Sequence, residues 1–223
     1  MTIAPNESPI VRPLSNSLVA TVGAVIGSQV TLRAASLLRP RPMPHQFAPL
    51  LDHPWRMRYR HPGDTLGMFG LGADMTVLDL GCGTGVFTVE MASRVGADGI
   101  VHAVDIQRAM LVAADQRVAD AGLSDRVRFH WCGAYELPME DASVDLAVLV
   151  ATLPQIPDRF RALSELRRVL KPEGRLAISE ELPDPSYVPP NVTRSWAEEA
   201  GFIYGGRSGS WLCYSMVFFN TDA

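Results

Sequence analysis

From residue 75 onward, short apolar runs alternate with longer stretches whose apolar residues recur every three or four positions. The short runs suit strands buried on both faces, and the longer stretches suit helices that bury one side. Their alternation predicts an α/β fold with a parallel sheet between two helical layers. The predicted strands are 76–80, 100–105, 127–131, 144–150 and 175–179. The predicted helices are 85–95, 107–121, 158–170 and 192–200.

Turn-forming residues separate the last elements. The Lys-Pro-Glu-Gly sequence at 171–174 predicts a turn ahead of the strand 175–179, because proline stops a helix and glycine closes a turn. Beyond the last helix, two strand-like runs at 202–207 and 211–220 flank a Ser-Gly-Ser sequence. This pattern predicts an antiparallel hairpin at the end of the chain.

The chain ahead of residue 66 is patterned differently. Residues 1–14 contain three prolines and predict a flexible tail. Residues 15–38 predict an apolar helix. Residues 39–65 begin rich in proline and continue with aromatic and basic side chains, which predicts a connector that caps the following domain. Residues 66–223 are expected to form that domain.

Two structures suit the apolar helix. No charged residue occurs from 13 to 32, and Arg33, Arg39 and Arg41 follow, so a membrane anchor would keep the main domain on the cytoplasmic side. In such an anchor, Gly23 and Gly27 would let two copies pack as a homodimer. The alternative is a helical cap or interfacial helix, since glycine, serine, threonine and glutamine lower the hydropathy. A secretory signal is disfavoured because little positive charge precedes the apolar run.

Composition narrows the classes of function. The 223 residues are 47% hydrophobic and 20% charged, which suits one catalytic domain with a full core. A net charge of -4 gives no reason to expect a nucleic-acid partner. Three cysteines lie far apart without metal-type spacing, which predicts reduced thiols in a cytoplasmic protein and no metal site.

The most informative chemistry lies directly after the first predicted strand. Gly81, Gly83 and Gly85 follow Asp79 at alternate positions, and glycines there let the backbone turn tightly and approach a ligand closely. Asp105 ends the next strand, where a carboxylate can accept hydrogen bonds from both ribose hydroxyls. The pattern predicts a nucleotide-like cofactor.

Glycine spacing separates two classes of cofactor. A dinucleotide motif would require glycine or alanine at position 86, where Val86 stands. The pattern Asp-x-Gly-x-Gly-x-Gly at 79–85 instead resembles that of class I S-adenosylmethionine-dependent methyltransferases. The resemblance covers about residues 50–220 and is closest to the small-molecule branch that includes ubiquinone and menaquinone biosynthesis methyltransferases. Further motifs carry it at 104–111, 137–145 and 166–176.

The resemblance implies a fold and a set of contacts. The fold is a three-layer, Rossmann-like, seven-stranded sheet, mostly parallel, with an antiparallel C-terminal hairpin strand and an N-terminal helical cap or anchor. Asp79 would accept from the methionine ammonium, and Ile106 would pack on the adenine. The cofactor-binding residues implied are Asp79, Gly81, Cys82, Gly83, Thr84, Gly85, Asp105, Ile106, Gly133, Ala134, Tyr135 and Ala151.

Two departures from the family pattern stand close to the expected site. Relatives often carry aspartate where this chain has Gly133, so Tyr135, Glu136 or water must contact the adenine amino group, or packing alone holds the ring. Relatives also often carry a histidine pair after the strand 144–150. This chain has Pro154-Gln155-Ile156-Pro157-Asp158, so no imidazole base is available there.

Methyl transfer to a small, hydrophobic acceptor by direct in-line displacement is the predicted reaction, because the expected roof over the site is apolar. A lipid or quinone-like acceptor fits such a roof. A base is optional, since the sulfonium is already activated. The residues that flank the loop and the last parallel strand, and so are candidates to orient or deprotonate an acceptor, are Tyr59, His61, Glu180, Glu181 and Tyr187.

Two other functions remain compatible with the sequence. A glycine loop demonstrates ligand binding and not turnover, so a non-catalytic scaffold subunit that binds the cofactor is one alternative. A nicotinamide-dependent oxidoreductase is the other, and it would use Asp105 on the ribose of its dinucleotide.

Overall fold

A computed structural model describes residues 16–182 and 184–220. Its centre is a seven-stranded sheet in the order β3-β2-β1-β4-β5-β7-β6. Strands β1 to β5 pair in parallel, and β7 pairs antiparallel with both β5 and β6. The predicted seven-stranded fold is confirmed. The strands are β1 Thr76–Leu80, β2 Ile100–Asp105, β3 Val127–Trp131, β4 Val144–Val150, β5 Leu170–Glu181, β6 Ile203–Gly209 and β7 Cys213–Phe219.

Helices cover both faces of the sheet. Neighbouring strand residues point to opposite faces, so Val77 enters one apolar core with Phe87 and Leu111, while Leu78 enters the other with Leu163. This is why the strands read as nearly continuous apolar runs. The helices are α1 Asn16–Leu38, α2 Ala48–Leu51, α3 Pro54–Tyr59, α4 Pro62–Gly67, α5 Val86–Arg94, α6 Arg108–Asp120, α7 Arg159–Val169 and α8 Pro190–Glu199.

Strand β5 begins five residues earlier than the sequence predicts, at Leu170 instead of Arg175. The predicted turn at 171–174 is a bulge within the strand, because Leu170 pairs with Val144 and Arg175 with Leu146. The side-chain amide of Asn220 donates to the carbonyl oxygens of Leu170 (3.0 Å) and Lys171 (3.2 Å). Asn220 lies about 50 positions further along the chain, and its hydrogen bonds keep the start of β5 beside β4.

Helix α1 confirms the helix predicted at 15–38 and exposes much of its surface, with Val30, Leu32 and Leu38 49–82% exposed. Arg33 joins it to the main domain by donating to the carbonyl oxygen of Leu182. Within residues 16–182 and 184–220, no helix combines the length and the hydropathy that a membrane crossing requires, and this includes α1, for which the sequence left an anchor open. The predicted tail at 1–14 lies outside the described residues.

Candidate active site

The glycine loop leaves β1 at the point where the strand order reverses, between β1 and β4. The amides of Gly81 and Cys82 donate to the Val104 carbonyl oxygen at 2.8 and 3.0 Å, which ties the loop to β2. Gly81 has a φ of 79°, and a Cβ there would lie 2.5 Å from the Thr152 side chain. Glycine is therefore required at 81, and the loop passes close to the end of β4.

Gly85 has a different role from the other loop glycines. It is left-handed at φ 79° and starts α5, and a Cβ there would stand 3.0 Å from the backbone and side chain of Ala114 on α6. The residue thus brings α5 and α6 together. Gly85 does not line the pocket described below, so its predicted contact with the cofactor stays a prediction.

Asp105 is held in a fixed orientation at the end of β2. Its Oδ2 accepts from the Gly83 amide at 3.0 Å, and its Oδ1 accepts from the Gln107 amide at 2.8 Å. Burial raises the pKa of this carboxyl group, and the backbone amides act in the opposite direction. Each carboxylate oxygen has lone pairs left for a ligand, because a carboxylate can accept about four hydrogen bonds.

Asp79 lies deeper, under the loop, with only 2% of its surface exposed. Its Oδ2 accepts from the Thr88 hydroxyl at 2.6 Å. Burial raises its pKa to about 7, the Thr88 hydrogen bond lowers it, and the negative charge of Asp105 raises it further. A positively charged ligand group beside Asp79 would favour the ionised carboxylate.

A pocket of about 330 Å³ opens at the carboxyl ends of β1, β2 and β4. It brings together eight of the predicted cofactor-binding residues: Gly81, Gly83, Asp105, Ile106, Gly133, Ala134, Tyr135 and Ala151. An adjoining recess of about 40 Å³ contains three more: Asp79, Cys82 and Thr84. The structure thus gathers residues from four separate segments around one space.

The side chains expected to replace the missing carboxylate at Gly133 have other partners. The Tyr135 hydroxyl accepts from the Asp158 amide at 3.0 Å. Glu136 is exposed and pairs with Arg161 at 3.3 Å. The pocket wall at Gly133 instead includes the apolar side chains of Ile106 and Met110. This leaves an apolar slot suited to a flat ring.

Residues 39–65, the cap segment, supply the other side of the pocket through Met43, Leu51 and Arg56. Asp52 fastens this segment to the loop, because its Oδ1 accepts from the Thr84 hydroxyl at 2.8 Å and its Oδ2 pairs with Arg117 on α6. These contacts were not predicted from the sequence, because Thr84 and Arg117 lie 32 and 65 positions away from Asp52.

Gln155 and Asp184 also line the pocket and were missed at the sequence level. Gln155 Oε1 accepts from the Met43 amide at 2.9 Å, and Gln155 Nε2 donates to the Ala151 carbonyl at 2.8 Å. Asp184 follows β5 at the edge of the sheet where the parallel strands end. The predicted Asp105 ends β2 at the same edge. The position of Asp184 after a predicted parallel strand was the available signal.

The five candidates for orienting or deprotonating an acceptor do not line the pocket. His61 starts α4, where its Nδ1 accepts from the Gly63 amide at 3.2 Å. Tyr187 donates to the Trp211 carbonyl oxygen. Neither side chain is placed to contact a molecule bound beside Asp105.

The remaining three candidates cluster around the buried Arg60: Glu180 and Glu181 are buried, and Tyr59 is 38% exposed. Glu181 Oε1 pairs with Arg56 Nε at 2.7 Å, and Glu181 Oε2 lies 3.7 Å from Arg60 Nη1. Burial and the charge of Glu181 raise the pKa of Tyr59 to about 12, which keeps its hydroxyl protonated. Glu180 is fully buried, with its pKa raised well above the ordinary value chiefly by desolvation. Through Glu181, the cluster orients Arg56 on the pocket wall.

Comparison with known proteins identifies the family. Residues 71–199, more than half of the chain, match the family model described as a methyltransferase domain. The chain belongs to this methyltransferase family. A demethylmenaquinone methyltransferase from Lactiplantibacillus plantarum is 37% identical over 127 residues, 56% of this chain and 54% of that protein. A 27-O-demethylrifamycin SV methyltransferase from Amycolatopsis mediterranei is 34% identical over 157 residues, 63% of this chain and 57% of that protein.

A ubiquinone/menaquinone biosynthesis C-methyltransferase from Idiomarina loihiensis is 38% identical over 116 residues, 52% of this chain and 46% of that protein. The chain thus spans about half the length of the curated relatives it matches. Among solved structures, a SAM-dependent (S-adenosylmethionine-dependent) methyltransferase from Aquifex aeolicus is 28% identical, with a TM-score of 0.73 over 81% of this chain and all of that one. The family cofactor is therefore S-adenosylmethionine, as the sequence predicts.

The pocket of this methyltransferase has the chemistry that S-adenosylmethionine requires. Asp79 is a buried carboxylate without a cationic partner among its described contacts, which suits a ligand ammonium group. Asp105 keeps lone pairs directed at the pocket for ribose hydroxyls. Ile106 and Met110 form the apolar slot for a flat base. The chemistry of these residues fits the groups of the cofactor.

Proposed function

We propose that this chain transfers a methyl group from S-adenosylmethionine to a small, hydrophobic acceptor by direct in-line displacement. One observation carries the proposal: a single pocket is lined both by the glycine loop with Asp105 and by apolar side chains of the cap segment. Such a pocket can hold a cofactor and an acceptor in contact. When bound, the cofactor supplies an already activated methyl group.

The residues of the chain have to bind, orient and exclude water. We assign the methionine ammonium to Asp79, the ribose hydroxyls to Asp105, and the adenine to the slot beside Ile106 and the Ala134 amide. Leu51 covers the loop at Gly83, and Met43 with Ile156 covers the part of the pocket beside Gln155 and Asp184, where we place the acceptor and which we call the acceptor end. Holding an acceptor in line within a dry pocket lowers the barrier by several kcal/mol, about 7–11 in the best-oriented cases.

The character of the acceptor follows from the lining. The apolar side chains of Met43 and Leu51, from the cap segment, line the pocket together with Ile156. The relatives named above act, by their names, on demethylmenaquinone and on 27-O-demethylrifamycin SV. A quinone-like acceptor is therefore the substrate class that we favour.

We also propose that the protein works in the cytoplasm with α1 in contact with a membrane face. The exposed apolar residues of α1, followed by Arg39 and Arg41, support this. Apolar side chains enter the lipid interface and arginines attract anionic headgroups.

Thermal unfolding with and without S-adenosylmethionine tests the cofactor assignment. Ligand at about 100 times its Kd stabilises the folded state by about 2.7 kcal/mol, which raises Tm by several degrees. We expect Asp105→Asn to lose most of this rise, because the amide group cannot accept from both ribose hydroxyls. The matched control is Asp115→Asn, on the exposed side of α6, which should respond as the wild type does.

The same experiment separates the rival functions. No rise in Tm with saturating S-adenosylmethionine would overturn the proposal, and a rise with NADH alone would favour an oxidoreductase. Tight cofactor binding without methyl release over a panel of phenols, quinones and lipids would favour a scaffold subunit.

A further inference from the structure

The acceptor end of the pocket contains a carboxylate that the cofactor does not require. Among the described residues that line the pocket, the acidic ones are Asp105, which is bound by the loop, and Asp184, which follows β5. Asp184 lies beside Gln155 and Arg56, and the apolar side chains of Met43 and Ile156 complete this wall. An acceptor bound here would meet the Asp184 carboxyl group between polar side chains and the apolar side chains of Met43 and Ile156.

Hydrogen bonds fix the direction of the Asp184 carboxyl group. Its Oδ1 accepts from the Ser186 amide at 2.6 Å, and its Oδ2 accepts from Gln155 Nε2 at 3.3 Å. Gln155 is itself held, because it also donates to the Ala151 carbonyl and accepts from the Met43 amide. This support holds the carboxylate in place before any acceptor arrives.

The charges around Asp184 come from two elements. Desolvation is the main cause that raises its pKa, the Ser186 amide lowers it, the charge of Glu181 on β5 raises it, and Arg56 on α3 lowers it. Glu180 also interacts with Asp184 through its charge. A carboxylate with a raised pKa is a stronger base than an exposed aspartate, and the charge of Arg56 acts in the opposite direction.

We propose that Asp184 is the general base for a phenolic hydroxyl, so that the site methylates oxygen on an apolar aromatic acceptor. This inference rests on the proposed methyltransferase function and names its substrate class. The phenol oxygen bonds to the methyl carbon as the carbon–sulfur bond breaks, the proton on that oxygen passes to Asp184, and S-adenosylhomocysteine leaves with the electron pair on sulfur. A phenol is a better match than an alkyl alcohol, because its pKa of about 10 is closer to that of a carboxyl group.

Binding of a defined probe gives the first readout. In calorimetry with saturating S-adenosylhomocysteine, we expect the wild type to bind 1-naphthol at least tenfold more tightly than 1-methoxynaphthalene, which has no proton to donate. Asp184→Asn should reduce this preference to threefold or less. Asp141→Asn is the control, since Asp141 is exposed and pairs with Arg168 away from the pocket. It should bind both probes as the wild type does.

Kinetics with 1-naphthol give the second readout. We expect Asp184→Asn to lower kcat by about 10²- to 10⁴-fold, the usual contribution of a general base, with a smaller change in KM. The wild-type kcat/KM should fall with unit slope on the acid side as Asp184 is protonated, and Asp184→Asn should lack this limb. If Asp184→Asn does not fold, Gln155→Met removes the donor to Asp184 and should move the limb to higher pH.

The outcomes distinguish this inference from the function on which it rests. If the wild type fails to bind S-adenosylmethionine, the proposed function itself is wrong. If the cofactor binds but the wild type does not prefer 1-naphthol, forms no methyl ether, or keeps both properties in Asp184→Asn, the assignment of Asp184 is overturned and the methyltransferase proposal stands.

Discussion

Asp79, to which we assign the methionine ammonium, shows how a residue proposed for binding can oppose folding. Its carboxyl group is buried and accepts one hydrogen bond, from Thr88, while Asp105 adds a like charge nearby. Its pKa therefore rises from 3.8 to about 7 on folding. A raised pKa means that the folded state holds the proton more tightly than the unfolded state between these values, so stability is lost as pH rises through about 7.

We expect Asp79→Asn to stabilise the ligand-free protein at pH 8, by about 2 kcal/mol, because the amide carries no charge to desolvate. At pH 4 the gain should nearly vanish, since Asp79 is then neutral in the folded state. Chemical denaturation at both pH values measures this difference in the free energy of unfolding. S-adenosylmethionine binding should weaken in the same variant, and equal stability of the two proteins at pH 8 would contradict the assigned burial cost.

At the scale of elements, the cap segment is joined to the domain by a few polar contacts. Asp52 links α2 to Thr84 on the loop and to Arg117 on α6. Met43 lies between Gln107 and Gln155, which bond its carbonyl and its amide at 2.9 Å each. The segment contributes no residue to either apolar core, so these contacts, together with the ion pairs of Arg56 and Arg60 with Glu181, decide where it sits.

Replacing Asp52 by alanine should loosen the cap segment while the sheet stays intact. We expect the Kd for S-adenosylmethionine to rise about 3- to 10-fold, the loss of roughly 1 kcal/mol of binding free energy. Hydrogen exchange should quicken in residues 43–60 and not in β1.

The control for this variant is Glu198→Ala, which removes an exposed ion pair with Arg194 on α8, distant from the loop. Both variants should lose at most about 1 kcal/mol of stability. The same rise in the Kd for S-adenosylmethionine in both variants would show that Asp52 has no special role in binding.

At the scale of the whole molecule, α1 exposes apolar side chains and is joined to the main domain through Arg33. We expect the wild type to sediment with vesicles of phosphatidylcholine and phosphatidylglycerol, and the triple variant Val30→Gln, Leu32→Gln and Leu38→Gln to sediment several-fold less. The reason is the lost transfer of apolar surface, at about 25 cal/mol per Å².

A matched variant, Ile203→Gln with Trp211→Gln, removes apolar side chains exposed elsewhere and should leave sedimentation unchanged. A wild type that stays in the supernatant, or a triple variant that sediments equally, would refute membrane contact by α1.

The sequence predicted the sheet well because strands buried on both faces are apolar throughout. Strands β1 to β4 match their predicted bounds, and the long helices match to within one or two residues. The start of β5 was wrong because the bonds from Asn220 act across about 50 positions. Local residue patterns do not reveal such contacts.

The cofactor end of the pocket was predicted more fully than the acceptor end for a related reason. Gly81 and Asp105 belong to contiguous motifs whose spacing specifies a loop and a strand end. Asp52, Gln155 and Asp184 belong to no motif. Asp52 reaches Thr84 because the cap segment folds back over the loop, and Gln155 meets Asp184 where the segments after β4 and β5 approach each other. Predicting them requires knowing the paths of these segments.

The hydrogen bond between Thr84 and Asp52 also bears on turnover. Leu51 lies close over Gly83, 3.3 Å from where a Cβ would be, so a spent cofactor leaves past the cap segment. We expect each catalytic cycle to include one opening of the contact at Asp52. The residence time of product should then depend on how long this part-buried hydrogen bond lasts.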